Sequence, residues 1–153
     1  MAGFAVQLAK HLGATVIATA SAGNHAYVRS LGADKVIDYN KEDFSAIGPV
    51  CDVVFDTVGG GVRAGCYKRS SPAAGWFGFR PAPEGYEVPR ADVKTLKPDV
   101  KRDRAHLERL VALLAAGAVK PPAIAHYNLT EAAQAHRVSE ARHLQGKLVF
   151  DVR

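Results

Sequence analysis

Six histidines, two cysteines and fifteen Asp or Glu residues are the groups in this chain that can hold a metal or move a proton. His126, His136 and His143 follow one another ten and seven residues apart, and no cluster around them is read as a zinc site. Cys51 and Cys66 lack that spacing too, and read as reduced structural thiols. There is no G-x-S-x-G and no nucleophile–base pair, so no catalytic residue and no metal ligand is assigned. One stretch does read as a binding feature. The loop TVGGG (57–61) directly follows the apolar run CDVVFD (51–56). Ligands of open α/β sheets lie at such carboxyl ends of strands. A turn that needs glycine dihedrals is the structural alternative.

Charge narrows the partners. The net charge is +5, and Arg90, Lys94, Lys97, Lys101, Arg102 and Arg104 concentrate it. Asp92, Asp99 and Asp103 dilute this run and no aromatic residue interleaves with it, so it reads as a solvated loop and not as a nucleic-acid surface. An anionic cofactor would also be drawn to such a charge. The longest apolar run, around Leu110 to Val119, is too short to cross a bilayer. Lys10 and His11 interrupt the N-terminal apolar stretch, which is not a signal peptide on that pattern. A cytoplasmic location is expected.

The elements that must position the loop follow from periodicity. Phe4, Leu8 and Leu12 form an apolar stripe that predicts a helix over 2–12, with Gly13 past its end. TVIATA (15–20) lacks alternation and reads as a strand buried on both faces, as in parallel sheets. Ser21 stands at an N-cap position before a helix over 24–31. KVID (35–38) is a short strand, 42–47 a weak helix, CDVVFD a buried strand, 62–69 a poor helix and GWFGF (75–79) a further strand. A short strand near 93–96 follows. Asp103 is placed to cap a strong helix that Gly117 stops, and Pro121 and Pro122 forbid its extension. AIAHYNL reads as an edge strand, Thr130 as the cap of a last helix reaching about His143, and KLVFDV (147–152) as the final strand. Strands and helices alternating over short links predict an α/β fold with a mostly parallel sheet and flanking helices.

Four segments carry a resemblance. AVQLAKHLGATVIATAS, HAYVRSLGADKVIDY, CDVVFDTVGG and AHRVSEARHLQGKLVF, in this order and at these distances, resemble the C-terminal half of the medium-chain dehydrogenase/reductases. Within that family the zinc-independent quinone oxidoreductases are the nearest branch. The resemblance implies a Rossmann-like domain that is truncated, because the first strand and the Gly-rich loop of the family precede a helix that here opens the chain. It divides the chain into a dinucleotide-binding domain, 1–121, and a segment, 122–153, that returns to the catalytic domain in relatives. Loss of a central strand would expose the edges of TVIATA and CDVVFD. Those strands would then pair with each other, accept a strand from a second chain, or fold poorly.

The same resemblance implies the cofactor and the residues that touch it. No acid stands in Ala18–Thr19–Ala20–Ser21, where NAD-selective folds carry one, so NADP(H) is the expected cofactor. Relatives grip the 2′-phosphate with Ser, Lys and Tyr; Ser21 and Tyr39 match, Asn24 replaces the Lys, and His25 or Arg29 is placed to compensate. Ala2 matches the third small residue of the Gly-rich loop, with Gly3 beside it. Thr57, Val58 and Gly59 would run beside the riboses, Phe79 near the nicotinamide, and Lys147 matches a Gly-Lys near the cofactor. For Ser21, Tyr39, Phe79 and Lys147, a cap, a packed ring, a core ring and a surface lysine are the structural alternatives. The implied reaction moves hydride from NADPH to a quinone or enone, with activity impaired in this chain alone. The rival is a non-enzymatic fragment that forms a homodimer or complements a chain supplying the missing N-terminal half.

Overall fold

The computed structural model describes residues 2–60, 62–78, 90–96, 101, 103–141 and 144–152. The chain divides into two compact units, one made of Met1–Ala2 and Tyr39–Leu107, the other of Gly3–Asp38 and Glu108–Arg153.

The unit built on Gly3–Asp38 begins with α1 (Ala2–His11), then β1 (Ile17–Ala20), α2 (His25–Ser30) and β2 (Lys35–Asp38). Strands β1 and β2 pair in parallel, Ile17 opposite Lys35 and Ala20 opposite Asp38. Val6, Ala20, Ala33 and Val36 form the buried core, with Val16, Ala18, Val28 and Leu31 against them. The stripe expected on α1 is displaced: Val6 is its buried residue, while Leu12 lies in the turn beyond the helix and is 72% exposed. Asp34 ties the entry of β1 in place. Its Oδ2 accepts from the Val16 backbone N–H at 2.7 Å, and Lys10 Nζ pairs with the same carboxylate at 2.9 Å.

The later residues of this unit form α4 (Arg104–Ala115, its last residues falling here), β6 (Ile124–Asn128), α5 (Ala132–Glu140) and β7 (Lys147–Asp151). β6 and β7 pair in parallel. Gln7 of α1 grips the chain ahead of the double proline: its Oε1 accepts from the Lys120 N–H at 2.7 Å and its Nε2 donates to the Lys120 carbonyl at 3.4 Å. The cap of the last helical stretch is not Thr130. Thr130 lies inside a 3₁₀ turn, Leu129–Glu131, and the Glu131 carboxylate reaches back to the Asn128 backbone N–H at 2.7 Å.

The other unit holds a 3₁₀ turn (Phe44–Ile47), β3 (Cys51–Asp56), α3 (Val62–Arg69), β4 (Ser70–Gly78) and β5 (Lys94–Leu96). Its three strands pair in parallel in the order β3-β4-β5. β4 is longer than GWFGF suggests, starting directly after α3, with a register shift against β3 between Cys51 and Val53. Tyr67 and Trp76 stack with centroids 5.4 Å apart, and Cys66 and Val93 complete the buried cluster. Asp103 caps α4 as expected, accepting from the His106 backbone N–H at 2.9 Å.

Every strand pairing among the described residues is parallel, as the α/β reading requires. Burial on both faces is not found for β1 and β3. Each has a strand neighbour on one side only, β2 for β1 and β4 for β3. Thr19 is exposed, and Val53 and Phe55 are 63% and 43% exposed. β2-β1 and β3-β4-β5 are separate parallel ladders, one in each unit. β1 and β3 do not pair with each other.

Candidate functional site

Two polar clusters stand at carboxyl ends of strands, one in each unit. The first lies beyond β1. Ser21 occupies the N-cap position of a 3₁₀ turn (Ala22–Asn24), but its hydroxyl accepts no backbone N–H. Asn24 Nδ2 donates to Ser21 Oγ instead, at 3.4 Å. Asn24 Oδ1 in turn accepts from Gln145 Nε2 at 2.7 Å. The His25 ring nitrogen Nε2 lies 3.2 Å from the Ala20 carbonyl, which orients its Nε2–H toward the strand end. No acid stands within Ala18–Ser21 itself, while Asp38, buried, lies opposite Ala20 in the β1–β2 register. Ser21 and Asn24 are therefore brought together, and Gln145 joins them. Arg29 is exposed further along α2, and Lys147 is exposed at the start of β7.

Gly3 serves packing at this end of the unit. A Cβ there would meet Leu31 Cδ1 at 2.9 Å, so a bare backbone lets α1 approach α2. Ala2 precedes it, exposed at the start of α1.

The second cluster lies beyond β3. Asp56 ends the strand with 5% exposure, and its Oδ1 accepts from the backbone N–H groups of Val58 at 2.9 Å and Gly59 at 2.8 Å. Oδ2 is buried and has no hydrogen-bond partner. Gly59 and Gly60 take φ of 72° and 64°, which glycine adopts without strain, so the loop is a glycine turn whose Val58 and Gly59 amides are taken up by Asp56. Thr57, Val58 and Gly59 are thus held as one element, with Val58 projecting to solvent. Tyr39, directly after β2, is 50% exposed and is not a packed core ring. Phe79 and the neighbouring Arg80 lie outside the described residues.

Reading the sequence missed Asp56 and Gln145. Asp56 had a signal: an Asp two and three residues ahead of the amides it binds is an Asx turn, spelled out by DTVGG. Gln145 had none, because its partner is 121 residues away.

No group of three His, Cys, Asp or Glu side chains that could hold a metal ion occurs among the described residues. Burial pushes the Cys51 thiol above its usual value, against the opposing charge of Arg69. Both cysteines are free. No described helix is long and apolar enough to cross a membrane.

Open α/β sheets place their ligands at the carboxyl ends of parallel strands, where both polar clusters stand. The family model described as "Zinc-binding dehydrogenase" matches residues 31–150, and the chain belongs to that family, as a medium-chain dehydrogenase/reductase of the quinone oxidoreductase type. It is 30% identical over 158 residues to the chloroplast envelope quinone oxidoreductase homolog of Arabidopsis thaliana, covering 97% of this chain and 48% of that protein. It is 54% identical over 56 residues to the chloroplastic NADPH-dependent alkenal/one oxidoreductase of Arabidopsis thaliana, over 35% of this chain and 14% of the relative. The quinone oxidoreductase from Coxiella burnetii superposes with a TM-score of 0.80 at 31% identity, covering 98% of this chain and 49% of the other. The chain spans about half the length of these full-coverage relatives.

Proposed function

We propose that this chain is the cofactor-binding portion of an NADP(H)-dependent oxidoreductase that transfers hydride to a quinone or an enone. The observation that carries the reading is the end of β1, where Ser21 and Asn24 bring hydroxyl and amide groups together and the residues Ala18–Ser21 include no acid. An acid at that place accepts the ribose hydroxyls of NAD(H) and repels a 2′-phosphate. Ser21 and Asn24 offer O–H and N–H donors that suit the phosphate, and Arg29 and Tyr39 are the further candidates. The loop Thr57–Gly59 offers a separate set of backbone contacts, and Ala2, Gly3, Phe79 and Lys147 stay candidates by family resemblance. The nicotinamide, when bound, supplies the hydride, and this chain's residues bind and orient it. The names of the relatives, an NADPH-dependent alkenal/one oxidoreductase and quinone oxidoreductases, support the same class of substrate. Zinc independence and cytoplasmic residence belong to the proposal, to be checked by metal analysis and cell fractionation.

Calorimetric titration with NADPH, and with NADH as control, tests the reading. Preference for NADPH is expected; equal affinity for both would defeat it. Alone, the chain is expected to oxidise NADPH with a simple quinone well below the usual enzymatic range of about 1–10³ per second.

The one-sided strands β1 and β3 favour a second reading, a fragment that dimerises or is completed by another chain. A polypeptide corresponding to the other half of the relatives distinguishes the two. Restored NADPH oxidation on mixing marks half of an enzyme, and complex formation without turnover marks a binding fragment.

A further inference from the structure

We infer that Gln145 is a specificity-determining residue: it fixes the orientation of the Asn24 amide so that hydrogen-bond donors face the 2′-phosphate of NADP(H). The inference rests on the cofactor reading above and adds a residue to it.

An asparagine amide has an acceptor end and a donor end, and rotation by half a turn exchanges them. Gln145 Nε2 donates to Asn24 Oδ1 at 2.7 Å and so occupies the acceptor end. The donor end then faces Ser21, where Nδ2 lies 3.4 Å from Oγ. Ser21 Oγ accepts, which leaves its own O–H to donate onward, and no backbone group of the turn competes for that hydroxyl as a cap. The hydrogen bonds therefore run in one direction, from Gln145 through Asn24 to Ser21. A phosphate dianion has only acceptor oxygens, so this direction suits it and the reverse does not.

Gln145 is held in place by its neighbour. Gly146 has φ of 118°, and a Cβ there would lie 2.1 Å from the Ala123 carbonyl oxygen. The next residue, Lys147, donates its N–H to that same carbonyl at 2.8 Å. The backbone beside Gln145 is thus set by β6 and β7, and the exposed Gln145 side chain reaches Asn24 from there.

The whole chain and its Gln145→Ala and Gln145→Glu variants are titrated calorimetrically with NADPH and NADH, with thermal melts in parallel. Gln145→Ala is expected to weaken NADPH by about tenfold, one charge-assisted hydrogen bond, and leave NADH within about twofold. Gln145→Glu reverses the amide and adds a negative charge, so its loss of NADPH affinity is expected to be larger. Unchanged melting temperatures show that both variants fold. A wild type that prefers NADPH together with a Gln145→Ala variant that keeps the preference overturns the inference and leaves the cofactor reading standing. A wild type that binds both equally, or neither up to about 1 mM, overturns the cofactor reading and this inference with it.

Discussion

Asp56 and Gly59 are joined through a single carboxyl oxygen: Oδ1 accepts the Gly59 N–H at 2.8 Å while also holding Val58. Because Asp56 is buried, removing it strands two loop amides without an acceptor. Asp56→Ala is expected to cost about 1–3 kcal/mol, and Asp56→Asn less, because Asn keeps an Oδ1 acceptor. Urea unfolding of both variants measures this. Equal midpoints for Asp56→Ala and wild type would mean that the loop holds itself.

Acid should unfold this chain through a defined set of carboxylates. Asp34 lies below its ordinary value of 3.8, first because the Val16 N–H donates to it and then through Lys10. Asp43 is lowered by Ser45, Asp92 by Arg90, and Asp103 by the His106 backbone N–H and ring. A carboxylate with a depressed folded-state pKa stabilises above its unfolded value, and that stability is lost as pH falls through the folded value. The melting temperature is expected to hold from neutrality to about pH 4 and then decline, and Asp34→Asn should flatten the decline. An Asp34→Asn profile parallel to wild type below that pH would remove Asp34 from the set.

Gly146→Ala is expected to be strongly destabilising. The positive φ strains any side chain, and the Ala123 carbonyl oxygen would lie 2.1 Å from the new Cβ. About 1–3 kcal/mol from the backbone alone is expected, with more from the collision. Loss of protection in β6 and β7 by hydrogen exchange, with β3–β5 unaffected, would locate the damage.

Val53 is apolar, 63% exposed and on a strand with a neighbour on one side only. Val53→Lys should change stability by no more than about 0.5 kcal/mol, since little packing is lost. It should also suppress concentration-dependent association, because a charge on such a strand discourages further pairing. Light scattering across a dilution series reads the second effect; identical curves for wild type and variant would show that association uses another surface.

Much of the architecture was legible in local sequence. The helix over 104–115 came from its apolar period and the Asp103 cap, and KVID and CDVVFD stand at the expected residues. Burial was less legible. TVIATA and CDVVFD have the composition of strands covered on both faces, yet Thr19, Val53 and Phe55 are exposed, because face cover is set by what packs on the sheet, which composition does not encode. The last cap went to Asn128 because Glu131 can reach back, a competition between two good cap residues two positions apart. At the site, Ser21 and Asn24 are three residues apart on a tight turn, so their proximity is local. Gln145 approaches from the far end of the chain, and only the paired β6 and β7 bring it there.

Gln7 grips Lys120 and Asn24 accepts from Gln145, so the unit that begins at Gly3 is stitched across a very long interval. During synthesis at about 5–20 residues per second, helix α1 would wait roughly 6–20 s for its partner to be made. Strands β3, β4 and β5 all lie within 51–96 and pair only with one another among the described residues. The strands of the middle of the chain can therefore pair before Gln145 is made, whereas the two ends of the other unit meet only after it.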